Sequence, residues 1–205
     1  MSAYSFADSR NGNATHRARA AVAAARYSWA VTARRLVFSE LMTPEAIKII
    51  CDTREPWPHP WSRWMPSHVQ LERATLDTGD FALAGLPDAA VVERKTCSDL
   101  LGCMTSNRER FERELLRSRH VGAFIIIVEG SLLDCIRLRG GLSEASLLGT
   151  IASWSRRYAP ILFAGSERYA AELGWRYLAA QVTEGHRITR AAERATSNVP
   201  AIAGR

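Results

Sequence analysis

Glu93 and Lys95 stand two residues apart in the apolar run Ala89–Lys95. On a strand they share one face, and Arg94 takes the other. Asp80 follows Gly79 at the opening of the preceding candidate strand, and Asp52 closes the first one. Three carboxylates and one ammonium therefore converge at one edge of a sheet. Like charges in one site repel and raise each other's pKa, and a bound hard cation relieves this. Mg²⁺ or Mn²⁺ takes a few carboxylates together with waters and phosphate oxygens. Held there, it acidifies a water and neutralises charge that develops on a phosphodiester. Lys95 would orient or deprotonate that water, or stabilise the transition state. The plain alternative is a surface ion-pair cluster. Asp52 equally suits a cap for the loop after its strand.

The elements that must position these residues read as an α/β layer fold, a mixed sheet flanked by helices. Ile47–Cys51 is a buried strand ending at Asp52, followed by the Pro/Trp-rich loop Pro56–Trp61. Val69–Leu76, Asp80–Ala84 and Ala89–Lys95 are further strands, with Gly79 and the stretch Gly85–Asp88 as turns. Ser98 is expected to cap one long helix, Asp99 to Arg119, carrying Leu100, Met104, Phe111 and Leu115 on one face. Ala123–Val128 is another buried strand. Ser143 caps a helix with Leu147, Ile151, Trp154 and Tyr158 in register, which Pro160 stops. Ile161–Ala164 is the last strand, and a final helix spans about 166–182. Residues 42–184 thus form one domain, and 185–205 a flexible tail.

Residues 1–41 differ: eleven are Ala, and six Arg face only Asp8 and Glu40. They read as a helix from Ala18 to Phe38, as a transit-like leader, or as untranslated sequence preceding a start at Met42. The whole chain has 205 residues, a net charge of +6, and 25 Arg beside only Lys48 and Lys95. An Arg-borne excess favours a polyanionic partner through bidentate pairing with phosphate; an Arg- and Ala-rich genome would give the same bias. The longest apolar run is far shorter than the roughly 20 residues a membrane span needs, which predicts a protein with no membrane partner. Cys51, Cys97, Cys103 and Cys135 show no metal-ligand spacing. Free thiols in a reducing, cytoplasmic compartment are expected.

The spacing from Asp80 through twelve residues to Glu-x-Lys fits the nuclease pattern PD-(D/E)xK. Around it stand Asp52-Thr53-Arg54-Glu55, Gly79-Asp80-Phe81, Val91–Thr96 with Asp99 four residues after the lysine, Arg110-Phe111 and Ile125–Gly130. This set resembles the nuclease domain of the XPF/MUS structure-specific endonucleases, whose hallmark is GD…ERKxxxD, over about residues 47–182. The resemblance implies a restriction-endonuclease-like core and metal-dependent cleavage of DNA, with no small-molecule cofactor. It makes Asp80 and Glu93 metal ligands, Asp52 a further acidic residue of the metal site, and Lys95 the catalytic lysine. Arg54, Glu55, Arg94 and Asp99 become supporting positions that shape the site or hold phosphate. It also implies a homodimer, for which the apolar faces of the last two helices are candidates. The short chain resembles compact stand-alone versions from bacteria and phages. Branched or flapped DNA in repair or recombination is the expected substrate class; a nuclease acting on RNA is less favoured. The rival is a catalytically inactive DNA-binding or dimerisation partner.

Outside the motif, most arginines of the long helix alternate with glutamates and read as solvated i,i+4 pairs. Arg110 and Arg113 share a face and are the candidates for DNA phosphate contact. Asp99 at a helix start equally suits a cap. Trp57, His59 and Trp61 are expected to pack over a sheet edge rather than stack on bases.

Overall fold

Alternation along the fourth strand splits the interior in two: Val91 packs with one apolar cluster and Val92 with the other. The computed structural model describes residues 46–197; the leader, the Met42 start and the last eight residues lie outside the described part. The elements run β1 (Ile47–Asp52), β2 (Val69–Ala74), β3 (Phe81–Leu83), β4 (Leu86–Lys95), α1 (Cys97–Met104), α2 (Arg108–Arg117), β5 (Phe124–Val128), α3 (Leu132–Leu138), α4 (Glu144–Arg157), β6 (Ile161–Phe163) and α5 (Glu167–Ser197). One six-stranded sheet has the order β2-β1-β3-β4-β5-β6. β3 is antiparallel to β1 and β4, and the other pairs are parallel. This is the mixed sheet flanked by helices that the periodicity predicts.

One face of the sheet carries Leu100, Phe111, Leu115, Leu147 and Trp154 from α1, α2 and α4 against Val91, Ile126 and Val128. The other carries Ala170, Ala171 and Leu178 of α5 with Trp61 against Ile49, Val92, Ile125 and Ile127. β5 is buried along its whole length, as expected of a strand with neighbours on both edges and helices on both faces.

Five expectations change. The long helix is broken into α1 and α2: the backbone leaves helical geometry at Thr105 (φ −117°, ψ −100°), and the Thr105 and Asn107 N–H groups both turn to the Gly102 carbonyl. With Ser106 and Asn107, Thr105 offers the backbone local partners that compete with helix. The cap of α1 is Thr96 rather than Ser98. The turn before β4 is confined to Ala84 and Gly85, whose φ is +78°, and Leu86–Asp88 already belong to the strand. A short helix, α3, lies in a stretch read as loop, capped by Ser131 and Asp134 in a reciprocal box. The last helix continues past Val182 to Ser197.

Cysteine usage differs as well. Cys97 at the start of α1 and Cys135 in α3 form a disulfide, with Cα atoms 5.1 Å apart. Only Cys51 and Cys103 are free, both buried. The four free thiols expected from spacing reduce to two. Among the described residues no helix is long and apolar enough to cross a membrane.

Candidate active site

Gly79 fixes where Asp80 enters the sheet. Its φ is +74°, and a Cβ there would overlap the Val91 side chain, so only glycine fits without strain. Asp80 is then held by backbone on both sides: its N–H donates to the Val92 carbonyl at 2.9 Å, and its carbonyl accepts from Asp52 N–H at 2.8 Å. One carboxylate oxygen, Oδ2, accepts the Arg94 backbone N–H at 2.7 Å.

β4 presents Glu93 and Lys95 to the α1–α2 face, as the period of two requires. Lys95 Nζ donates to Glu93 Oε1 and lies 5.1 Å from the centre of the Phe111 ring on α2. Glu93 is 1% exposed, and its second oxygen, Oε2, is buried with no hydrogen-bond partner. Two carboxylates, Glu93 buried and Asp80 half-buried, thus share one ammonium. Burial, then the neighbouring Asp80, pushes the Glu93 carboxyl up to about 8. Burial also pushes Asp80 up to about 6, against the pull of Lys95. Burial opposes the charge on Lys95, but Glu93 and Asp80 outweigh it and hold its pKa above the usual lysine value. Lys95 therefore stays charged, and the carboxylates compete for its single charge.

That imbalance is what a divalent cation corrects. Among the described residues no group of three or more His, Cys, Asp or Glu is arranged around a common point. Two carboxylates with one orphaned buried oxygen nevertheless suit an ion that completes its shell with water and phosphate oxygens. The residues present fit Mg²⁺ or Mn²⁺.

Asp52 is fully buried but turned to other work. Its Oδ1 accepts from Arg54 N–H at 2.9 Å and Arg54 Nε at 2.5 Å. Its Oδ2 accepts from Leu76 N–H at 2.7 Å. Those bonds overcome burial and lower its pKa. The sequence makes Asp52 a third metal carboxylate; the structure uses both its oxygens to tie down the loops after β1 and β2. Asp99 is the N3 member of the α1 capping box, bonded to Thr96, so its structural reading is the one realised.

Arg94 points to the opposite face. Its Nε lies 3.0 Å from Glu55 Oε2 and its NH1 3.0 Å from Glu129 Oε2. His59 Nε2 reaches the same Glu55 oxygen at 3.0 Å, and the hydrogen bond from His59, then Arg94, lowers the Glu55 pKa against burial. Trp61 is buried, stacks on Phe81 at 4.5 Å, and donates its indole N–H to Glu129 Oε1 at 2.9 Å. The Pro/Trp loop packs over the sheet as expected, with Trp57 left half-exposed. His59, expected only to pack over the sheet, and Glu129, quoted only within the Ile125–Gly130 motif, both join this cluster. Arg110 and Arg113 lie exposed on α2, lining an open groove of about 490 Å³ with Thr105, Ser106 and Asn107.

The pKa shifts give the first expected result. Glu93 and Asp80 bind protons more tightly folded than unfolded, so ∂ΔG/∂pH of unfolding is negative between their unfolded and folded pKa values. In metal-free buffer, stability falls as pH rises through about 6 and about 8. Carboxylates with lowered pKa values are fully ionised in that window and add no slope. Thermal melts in EDTA between pH 5.5 and 8.5 should show the fall. Glu93→Gln should flatten it and raise the melting temperature at pH 8.5.

The mixed sheet, packed by helices on both faces, brings half-buried Asp80, buried Glu93 and Lys95 together where β3 and β4 meet. Residues 52–173 match the ERCC4 domain, and the chain belongs to that family, whose domain is the XPF-type nuclease domain. No curated protein matches the chain. Among solved structures it is similar to XPF from Aeropyrum pernix, with 24% identity and a TM-score of 0.54 over 64% of this chain and 65% of that one. A complex of XPF from Aeropyrum pernix with DNA gives 24% identity and a TM-score of 0.51 over 71% and 66% of the two chains. The likeness shows the fold, and it spans just under two thirds of either neighbour's length.

Proposed function

We propose that the protein is a Mg²⁺- or Mn²⁺-dependent endonuclease that hydrolyses DNA phosphodiester bonds. The observation that carries this reading is the pairing of half-buried Asp80 with buried Glu93, with an orphaned Glu93 oxygen and Lys95 alongside. Asp80 and Glu93 would hold the cation, which when bound supplies positive charge to the phosphate and acidifies a water. Lys95 Nζ orients that water and stabilises the negative charge added to phosphorus in the transition state. As the water oxygen bonds to phosphorus it gives up one proton to solvent, the bond to the leaving oxygen breaks, and the leaving oxygen takes a proton from solvent. Asp52 and Arg54 hold the loops that place Asp80.

The neighbour solved with DNA supports DNA as partner, and the family supports structured DNA, branched or flapped, in repair or recombination. Exposed Leu148, Leu162, Tyr169 and Leu173 on α4, β6 and α5 supply a surface for a homodimer. An inactive DNA-binding partner would have no use for an intact, destabilising pair of neighbouring carboxylates with one buried.

The test is cleavage of labelled single strand, duplex, 3′ flap, splayed arm and four-way junction in Mg²⁺, Mn²⁺ or EDTA. Metal-dependent cutting supports the enzyme; binding without cutting in either metal supports the inactive partner.

Arg110 and Arg113 are assigned to the DNA backbone in this reading, since no ion pair engages either guanidinium among the described residues. Replacing both with Ala should weaken duplex binding about 10-fold at 100 mM salt and lower the log–log salt slope by about 2. Fluorescence anisotropy in EDTA measures this without cleavage. An unchanged slope would remove both from the interface.

A further inference from the structure

Arg94 sits between Glu93 and Lys95 in β4, and any rotation of its peptide swings both. Its side chain is 18% exposed and is gripped by two carboxylates from separate parts of the chain, Glu55 after β1 and Glu129 after β5. Each carboxylate has its own support. His59 Nδ1 accepts the Trp61 backbone N–H at 3.1 Å, which places its proton on Nε2, facing Glu55 Oε2. Glu129 receives the Trp61 indole N–H through Oε1 and leaves Oε2 for Arg94. The Glu129 backbone N–H also donates to the Lys95 carbonyl at 2.8 Å.

A largely buried Arg between two Glu is a poor way to gain stability, because desolvation offsets most of the attraction. β4 is already held by hydrogen-bonded ladders to β3 and β5. What the ladders do not fix is the Arg94 N–H, which leaves the sheet pattern to meet the Asp80 carboxylate at 2.7 Å.

We propose that Glu129 and His59 are positioning residues: through Glu55 and directly, they clamp the Arg94 guanidinium on the reverse face of β4 and so hold the Arg94 N–H against Asp80. The inference rests on the nuclease reading for its purpose, since a fixed Asp80 is what a cation at Asp80 and Glu93 requires. It gives Arg94 a bracing role in place of phosphate contact.

The test uses Glu129→Gln, which keeps an acceptor for Trp61 and removes the charge, and His59→Phe, which keeps the ring against Trp61 and Phe81 and removes both nitrogens. Glu184→Gln, in an exposed pair with Arg187 on α5, is the control. Two readouts are taken on the resting protein: Mn²⁺ affinity by electron paramagnetic resonance of the free ion, and hydrogen exchange of the Arg94 amide by NMR. Both bracket variants should bind Mn²⁺ about 10-fold more weakly and exchange the Arg94 amide at least about 10-fold faster, while the control matches wild type. Arg94→Lys, which keeps the charge but lacks the planar fork, should reproduce the loss. If His59→Phe does not fold, Glu129→Gln decides alone. Unchanged Mn²⁺ affinity and Arg94 exchange in a folded variant overturn the bracket. Wild type that binds no Mn²⁺ overturns the nuclease reading instead, and the Arg94 amide still decides the bracket.

Discussion

Replacing Lys95 with alanine should lower cleavage roughly 10³-fold, the scale seen when a charge-stabilising donor is removed from a transition state, and leave the protein folded at neutral pH. Removing one partner of a buried ion pair costs about 3–5 kcal/mol when the other partner stays charged. Here the remaining partner has an exit. Glu93 is already pushed up to about 8 by burial and by Asp80, and without Lys95 it rises further and takes a proton. The destabilisation is therefore small at pH 7 and grows above pH 8, where protonation becomes costly. DNA affinity in EDTA should stay within about 3-fold of wild type, because phosphate contacts supply most of it and Arg110 and Arg113 are untouched. Circular dichroism at pH 7 and 8.5, anisotropy in EDTA and cleavage in Mg²⁺ read the three properties separately. Cleavage at the wild-type rate would sink the mechanism.

Two substitutions two residues apart should thus move stability in opposite directions, while the proposed mechanism has both remove activity. Glu93→Gln relieves a like-charge pair; Lys95→Ala deprives that pair of its counter-charge. A sheet edge built for stability would have placed apolar residues at both positions. Cys103, whose thiol burial pushes up, and Phe111, 2% exposed, show how dry the surroundings are. The charge imbalance at Asp80 and Glu93 is a local instability of the kind found at functional sites.

The pairing of Glu93 with Lys95 was legible in the sequence because a strand has a period of two and the apolar residues around them fix the faces. Gly79 and Asp80 were legible through turn chemistry. The break between α1 and α2 was not. Leu100, Met104, Phe111 and Leu115 keep helical spacing straight across it, and the break lies in the backbone angles of a single residue, Thr105. α3 did leave a signal, Ser131 and Asp134 at capping-box spacing, which its seven residues made easy to pass over. Pro87 suggested a turn and stands in β4 near its start, where the missing N–H is tolerated. The orientation of the Asp52 carboxylate depends on Leu76, 24 residues away, and the Arg94 bracket on Glu55 and Glu129. No local pattern encodes such contacts.

The Cys97–Cys135 disulfide was equally invisible, since its partners are 38 residues apart and meet only because β4 and β5 run side by side. In-register pairing of Lys95 with Val128 carries both strands to the same edge, and α1 and α3 begin just beyond it. The closed loop contains α1, α2 and β5, the elements that cover Lys95. Cross-linking a loop of this length removes chain entropy from the unfolded state worth about 4 kcal/mol at 25 °C. For a chain of this size that corresponds to roughly 8–16 °C in melting temperature. Thermal melts with and without a phosphine reductant should show a drop of this order. Thiol titration in denaturant should count two free cysteines before reduction and four after. Cys97→Ala/Cys135→Ala should melt near the reduced protein and ignore the reductant, which separates the cross-link from any effect of reductant elsewhere. Gly130 packs so close to Cys97 Sγ that a Cβ there would overlap it, so Gly130→Ala should lower the melting temperature of the oxidised protein. A melting temperature that does not move while two thiols are released would show that packing of α1 against α3, rather than the cross-link, holds this edge together.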